Sequence, residues 1–279
     1  MSHSAAKVRV GDRTLYADLS APIAAGVVID PAPDAPQPSA FGLPRAAATP
    51  FAGPGFVLDL DRGGPVNCAV VTLAPHGNGT HTESALHVDA AAPPVTGVAP
   101  LAPFVVALVS VAPTPLGETD EHYLGCASRS DLVVTAAMTR AAASTLLTEC
   151  VEGIFLRCAA AEGLDRRVWS GQDPPYLTLD CAAWLASLPA AHLLIDLPSV
   201  DRERDDGELP NHRAWWGLPP RGAGGPPARR ADRTITELAA VPASVPDGLY
   251  LCALHVAPLA LDAAPSRPVL FALSPTPPP

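Results

Sequence analysis

The sequence has little lysine, no paired cysteines and no long apolar run, and each shortage excludes a class of protein. Lysine occurs once, at Lys7, outside any glycine-rich segment, which excludes a Walker-type phosphate-binding loop. The net charge of −10 argues against a nucleic-acid-binding surface. No uninterrupted apolar run reaches the roughly eighteen residues of a membrane-spanning helix. We therefore expect neither a nucleic-acid partner nor a membrane partner.

The cysteines occur singly, with no C-x-x-C pair. Their mostly apolar neighbours predict free thiols that are buried as small hydrophobic side chains, in preference to disulfides or metal ligands. The six are Cys68, Cys126, Cys150, Cys158, Cys181 and Cys252. The N-terminal residues lack the apolar segment of a secretory signal, so a cytoplasmic location is expected.

Composition predicts one compact domain over residues 1–279, with long connections. The chain has 34 prolines and 21 glycines but keeps a hydrophobic content of 48%, which favours stiff loops over disorder. Residues 21–55, dense in proline and alanine, are predicted to form a long irregular arm. Residues 218–230, rich in proline and glycine, are predicted to form a mobile loop.

Apolar periodicity predicts an α/β chain. Strands alternate with helices in the second half, which indicates a mixed α+β sheet flanked by helices. The predicted strands cover residues 14–20, 56–60, 67–73, 105–111, 153–158, 191–197, 249–256 and 269–273, and the predicted helices cover residues 139–149 and 181–188.

The segment from His76 to His87 carries the strongest chemical signal, because it holds three of the eight histidines of the chain and a carboxylate. Imidazole and carboxylate are common ligands of catalytic divalent cations. In an extended strand, His81, Glu83 and His87 would share one face. Gly77 and Gly79 would let the backbone turn His76 toward the same point. The alternative is a polar loop whose histidines only form hydrogen bonds.

The same segment resembles the signature H-x-G-T-H-x-D-x-P-x-H of the cyclase-like metal-dependent hydrolases, a family that includes bacterial kynurenine formamidase and isatin hydrolase. The matching residues are 79–87, with the sequence GTHTESALH. Further blocks resemble the family in the same order along the chain: residues 18–23, residues 195–201 with 209–212, residues 235–238 and residues 264–269. The resemblance therefore covers most of the chain.

Three departures from the family pattern indicate a divergent member. The first histidine of the signature aligns with Gly77, so His76 stands one residue early and needs a bulge to reach the metal. The aspartate of the signature is Glu83, which is one methylene longer, and its proline is Ala85.

The resemblance implies a swivelling β/β/α domain, usually a homodimer or homotetramer, that hydrolyses a C–N bond of a small amide, aryl formamide or cyclic amide. It implies a Zn²⁺ or Mn²⁺ ion held by His81 and Glu83, with His76 as a third ligand. His87, His212 and Glu237 would form a second metal site or the surrounding proton-transfer shell. The ion would lower the pKa of water, and a histidine or Glu237 would carry a proton to the leaving nitrogen.

Two other functions fit the same residues. One is a lactone or polyketide-type cyclase or ring-opening enzyme that uses the same metal. The other is a non-catalytic small-molecule-binding protein of the same fold, suggested by the displaced His76 and by Glu83. Asp196 and Asp201 are predicted to anchor their loop, and His122, His192 and His255 to be structural. Trp215 and Trp216 fit either the core or an apolar wall beside a planar substrate.

Overall fold

The computed structural model describes residues 5–158 and 163–278, in which strands outnumber helices. The strands are β1 (Ala5–Val10), β2 (Arg13–Asp18), β3 (Ile23–Ala24), β4 (Ala47–Pro50), β5 (Ala52–Gly53), β6 (Phe56–Val57), β7 (Ala69–Thr72), β8 (His81–Glu83), β9 (Phe104–Ser110), β10 (Thr114–Pro115), β11 (Leu132–Val134), β12 (Gly153–Arg157), β13 (Tyr176–Leu177), β14 (His192–Ile195), β15 (Thr234–Glu237), β16 (Gly248–Val256) and β17 (Ala263–Ser274). The α-helices are α1 (Pro75–Asn78), α2 (Ala136–Ala143), α3 (Leu179–Ser187) and α4 (Pro210–Trp216).

The main sheet is mixed, as predicted, and it also closes on itself. Strands β9, β12, β14 and β15 are parallel neighbours. On the other side of β9, β16 pairs antiparallel with β9, and β17 pairs antiparallel with β16. The short strand β8 pairs antiparallel with both β15 and β17, which joins the two edges. Seven strands therefore form a closed ring, a feature that the sequence did not predict.

Alternating side chains of the parallel strands fill two separate cores. Val106 and Leu108 belong to a cluster that contains no helical residue among those described, and this cluster fills the ring. Val105 and Val109 belong to a larger cluster that includes Leu185 of α3 and other helical residues, so the helices cover the outside. The period of two in β9 thus separates an inner from an outer face.

Several predicted elements needed correction. The predicted strand 153–158 is confirmed as β12, at the centre of the parallel strands. The predicted helix 139–149 was wrong in its bounds, because Thr135 accepts the N–H of Met138 and starts α2 at Ala136. The predicted strand 56–60 was also wrong: pairing ends at Val57, and a 3₁₀ turn begins at Leu60. Helix α4 and strand β15 were not predicted.

The arm of residues 21–55 runs across the surface and contains only the short strands β3, β4 and β5. Residues 218–230 carry neither helix nor strand. All six cysteines are free, but the expectation that they are buried was wrong for Cys68 and Cys126, which are exposed. Within residues 5–158 and 163–278, no helix has the length and apolarity needed to cross a bilayer.

Candidate metal centre

Strand β8 presents two chemically active side chains on the outer face of the ring. His81 and Glu83 alternate with Thr82, whose hydroxyl bonds that of Thr236 on the other face. In the register of β8 with β15, His81 lies directly opposite Glu237. Their side chains meet, with Nε2 of His81 3.4 Å from Oε2 of Glu237. Strand β8, which closes the ring, therefore also brings together the central residues of the site.

His76 reaches this centre from the short helix α1, which accommodates its early position in the sequence. Its Nδ1 lies 3.5 Å from Oε2 of Glu83. The expected glycine turn was wrong, since Gly79 is extended, with φ of 161°. A Cβ at Gly77 would lie 2.9 Å from Leu43, and one at Gly79 would lie 2.7 Å from Ile29. These glycines let the arm pack closely against the site.

His87 also reaches the site, although not in the way the strand pattern predicted. Strand β8 ends at Glu83, and a 3₁₀ turn over Ala85–His87 follows because the side chain of Ser84 accepts the N–H of Leu86. This turn brings the His87 ring centroid to 4.3 Å from that of His76. A strand that continued to His87 would have carried the ring away along the sheet.

Asp262 completes this side of the site and was not predicted. Its Oδ2 lies 2.9 Å from Nε2 of His76 and 3.1 Å from Nδ1 of His87. The residue directly precedes β17, whose pairing with β8 brings it beside the histidines. No local pattern marked it: Asp262 lies two residues before the block 264–269, which resembles the closing segment of the family.

His212 enters from α4 and lies against both glutamates. Its Nε2 is 3.0 Å from Oε1 of Glu83 and 3.6 Å from Oε1 of Glu237. Its Nδ1 is 2.6 Å from Oδ2 of Asp201. The structure therefore brings together all six residues singled out from the sequence, namely His76, His81, Glu83, His87, His212 and Glu237.

The polar atoms at the bottom of the site are buried, and their neighbours are other imidazole and carboxylate groups. His81 and Glu83 are fully buried, yet Nε2 of His81 and both carboxylate oxygens of Glu83 form no hydrogen bond within the described chain. Nδ1 of His81 faces the carbonyl of Gly79 at 3.0 Å, which fixes the proton there and leaves Nε2 as a lone-pair donor. Buried atoms of this kind are costly unless another group completes them.

A divalent cation fits this donor set. Three groups of residues offer ligand atoms that all lie within 4.8 Å of one another: His76 with His81 and Glu83, Glu83 with His87 and His212, and His76 with His87 and Asp262. Mixed imidazole and carboxylate ligands suit Zn²⁺ and Mn²⁺. Because the groups share members, the cluster has room for one ion or for a closely spaced pair.

Charges across the cluster shift the pKa values in opposite directions. Burial alone would raise the pKa of Glu83, but the facing imidazoles of His212 and His87 outweigh it and lower the pKa to about 2. Burial alone would lower the pKa of His212, but Glu83 and Asp201 hold it well above its ordinary value. Glu237 and Glu83 likewise raise the pKa of His81 against the effect of burial. The carboxylates thus stabilise positive charge at this point.

A cleft of about 270 Å³ opens onto the cluster. Its polar lining includes His76, His87, His212 and Glu237, and its apolar lining comes from Phe41, Leu43 and Leu209. A few charged groups among apolar side chains are typical of a site for a small molecule.

The cleft lining does not include Trp215, Trp216, His122, His192 or His255. Trp215 and Trp216 are fully buried core residues, so neither forms the apolar wall that was one of their two expected roles. His192 is buried beside Thr234, and His122 pairs with Asp180 on the surface.

Both aspartates of the 195–201 block hold backbone groups, as expected of loop anchors. Asp196 accepts the N–H of Cys158, and Asp201 accepts the N–H groups of Asn211 and His212.

Sequence comparison identifies the family to which this chain is similar. Residues 17–202 match the model of the family described as "Putative cyclase". That range includes the segment His76 to His87 and Asp201, whereas His212, Glu237 and Asp262 lie beyond it. A search of curated proteins found no match.

Solved structures share the fold at low sequence identity. One is described as a predicted metal-dependent hydrolase from Bacillus stearothermophilus, with 18% identity, a TM-score of 0.57, and coverage of 90% of this chain and 98% of the other. Isatin hydrolase A from Labrenzia aggregata has 15% identity and a TM-score of 0.57, with 90% and 93% covered. An isatin hydrolase bound to the product analogue thioisatinate has 13% identity and a TM-score of 0.57, with 91% and 92% covered.

Proposed function

The chain belongs to the cyclase family, and on this basis we propose that it is a metal-dependent hydrolase that cleaves a C–N bond of a small amide, aryl formamide or cyclic amide. The observation that carries the proposal is a cluster of buried ligand atoms at the end of a cleft: Nε2 of His81 and both oxygens of Glu83 form no regular hydrogen bond and face only other imidazole and carboxylate groups. Such atoms are expected where a cation completes the structure.

His81, Glu83 and His76 form the first ligand group of the proposed site, and His87 and His212 join Glu83 in the second. A bound divalent cation would supply Lewis acidity, which lowers the pKa of water and polarises a carbonyl. Glu83 belongs to both groups, and its low pKa keeps it ionised at neutral pH. Its charge would favour two cations bound close together.

Glu237 is placed to move protons. Its Oε1 accepts the N–H of Val200, which fixes the carboxylate, while Oε2 lies near His81. Because Glu237 also lines the cleft, it would take a proton from the attacking water and pass it to the leaving nitrogen. Phe41, Leu43 and Leu209 would hold the carbon skeleton of the substrate, and their apolar surface favours an aromatic group beside the scissile bond.

Metal analysis joined to an activity screen tests the proposal. We expect at least one divalent ion per chain after mild purification, loss of hydrolysis on chelation, and recovery with Zn²⁺ or Mn²⁺. The screen would include aryl formamides, isatin-like lactams and the matching lactones. Full hydrolytic activity in metal-stripped protein would overturn the proposal. Turnover of lactones alone would favour the ring-opening alternative, and absence of metal from every preparation would favour a binding protein.

We also propose that the chain assembles into a homodimer or homotetramer and acts in the cytoplasm. The first point is supported by β7, in which all four residues are exposed although two of them are Val70 and Val71. A two-stranded ribbon is marginally stable by itself, and cover by another chain would bury these valines and stabilise it. Light scattering on the purified protein would measure the oligomeric state, and a monomer would contradict this proposal.

A further inference from the structure

Helix α4 lacks a cap of its own and obtains one from a distant carboxylate. Leu209, at the N-cap position, is in the left-handed region with φ of 46° and forms no side-chain cap hydrogen bond. Asp201 replaces it: Oδ1 accepts the N–H of Asn211 at 2.9 Å, and Oδ2 accepts the N–H of His212 at 3.1 Å. These backbone donors would otherwise be unpaired in the first turn.

The same carboxylate also holds the ring of His212. Oδ2 of Asp201 lies 2.6 Å from Nδ1, so Nδ1 carries a proton that it donates to Asp201. The opposite nitrogen, Nε2, therefore faces Glu83 and Glu237. Since backbone and ring are both held by one buried carboxylate, the ring has little freedom to rotate.

Tyr123 completes the arrangement from another part of the chain. Its hydroxyl donates to Oδ1 of Asp201 at 2.9 Å and accepts the N–H of Arg202 at 3.2 Å. The side chain is buried, and it lies outside the segments that resemble the family signature. Each oxygen of Asp201 thus accepts two hydrogen bonds, and its orientation is fixed.

We propose that Tyr123 and Asp201 are positioning residues that hold His212 with Nδ1 as the proton donor and Nε2 as a metal ligand. The inference rests on the proposed function and adds which atom of His212 binds and what orients it. Carboxylate partners of ligand histidines commonly fix the ring and raise its basicity. Tyr123 would act on the metal only through Asp201.

Zinc titration of Tyr123→Phe tests this inference, with Tyr176→Phe as the matched control. Tyr176 is also buried, lies 4.7 Å from Tyr123 between ring centroids, and donates its hydroxyl to Asp131 instead of Asp201. We expect Tyr123→Phe to lower zinc affinity about tenfold and Asp201→Asn about a hundredfold. Tyr176→Phe should stay close to wild type. Equal affinities for Tyr123→Phe, Tyr176→Phe and wild type would overturn the inference.

Long-range ¹H–¹⁵N NMR of the histidine rings in zinc-loaded wild-type protein tests the assignment of atoms directly. A proton on Nδ1 of His212 and a zinc-shifted Nε2 would support it, and a proton on Nε2 would overturn it. Thermal unfolding of each variant separates loss of the helix cap from loss of ring orientation. Wild-type protein without zinc affinity would instead overturn the proposed function.

Discussion

A buried histidine lies beside each end of strand β15, and the pKa values of the two histidines shift in opposite directions. At the end of the strand, His81 faces Glu237, and carboxylates raise the pKa of His81 despite full burial. At the start, His192 pairs with Thr234, and its Nδ1 lies 2.9 Å from the hydroxyl of that residue. Burial there lowers the pKa of His192 to about 4. Burial opposes the charged form of both histidines. Glu237 and Glu83 outweigh it at His81, whereas the charge of Asp232 does not outweigh it at His192.

The largest difference between the two ends should appear in metal binding. We expect His81→Ala to weaken Zn²⁺ or Mn²⁺ binding at least about a hundredfold, since loss of a direct ligand should exceed the effect of losing an outer-shell partner. His192→Ala is the control at the other end and should retain wild-type affinity. Titration of both folded variants measures the contrast. A folded His81→Ala protein with unchanged metal stoichiometry would show that the two ends do not differ in this way.

The second contrast concerns acid stability. His192 has a folded pKa of about 4 against an ordinary value of 6.5, so the unfolded chain binds the proton more readily. Its contribution to stability is complete above pH 6.5 and is lost as the pH falls toward 4. We expect protonation of His192 to lower the free energy of unfolding by about 2 kcal/mol between pH 7 and pH 5. Denaturant titrations of wild type and His192→Gln at both pH values measure this. Identical pH slopes for the two proteins would contradict it.

The smallest expected effect comes from shortening the carboxylate side chain of Glu83 by one methylene. Glu83 reaches both His76 and His212, so the shorter Glu83→Asp side chain should lower metal affinity or turnover by about tenfold, or roughly 1.4 kcal/mol. Glu83→Gln should lower turnover further, because it also removes the charge. Metal titration with kinetics compares the three proteins. An Asp variant equal to wild type would mean that the longer side chain is not matched to the position of His76.

Much of the central sheet was predictable because its strands are buried on both faces. Residues 105–111 and 153–158 are mostly apolar, each interrupted by one polar residue, and both are found as parallel neighbours. Strand β15 escaped prediction because its sequence, TITE, has Ile235 as its single apolar residue and so shows neither an apolar run nor a regular alternation. Closure of the ring depends on β8, which is only three residues long and has no apolar residue.

The candidate ligands were predictable as a set, whereas their local geometry was not. The histidine spacing led to an extended strand from His81 to His87, but a single side-chain cap at Ser84 ended it. The glycines near His76 were interpreted as turn residues, although contacts with Leu43 and Ile29 from the arm explain them better. Asp262 is brought to the site by tertiary pairing alone, which local sequence patterns do not report.

Strand β8 also has a consequence for the order of folding. The hydroxyl of Thr82 bonds those of Thr236 and Ser266, which lie 154 and 184 residues further along the chain. Contacts over such sequence separations require large loops to close and form slowly. His81 and Glu83 flank Thr82, so the long-range contacts that close the ring also assemble the ligands. An intermediate with a complete parallel core but an open edge would have no functional centre, and activity would return later in refolding than secondary structure.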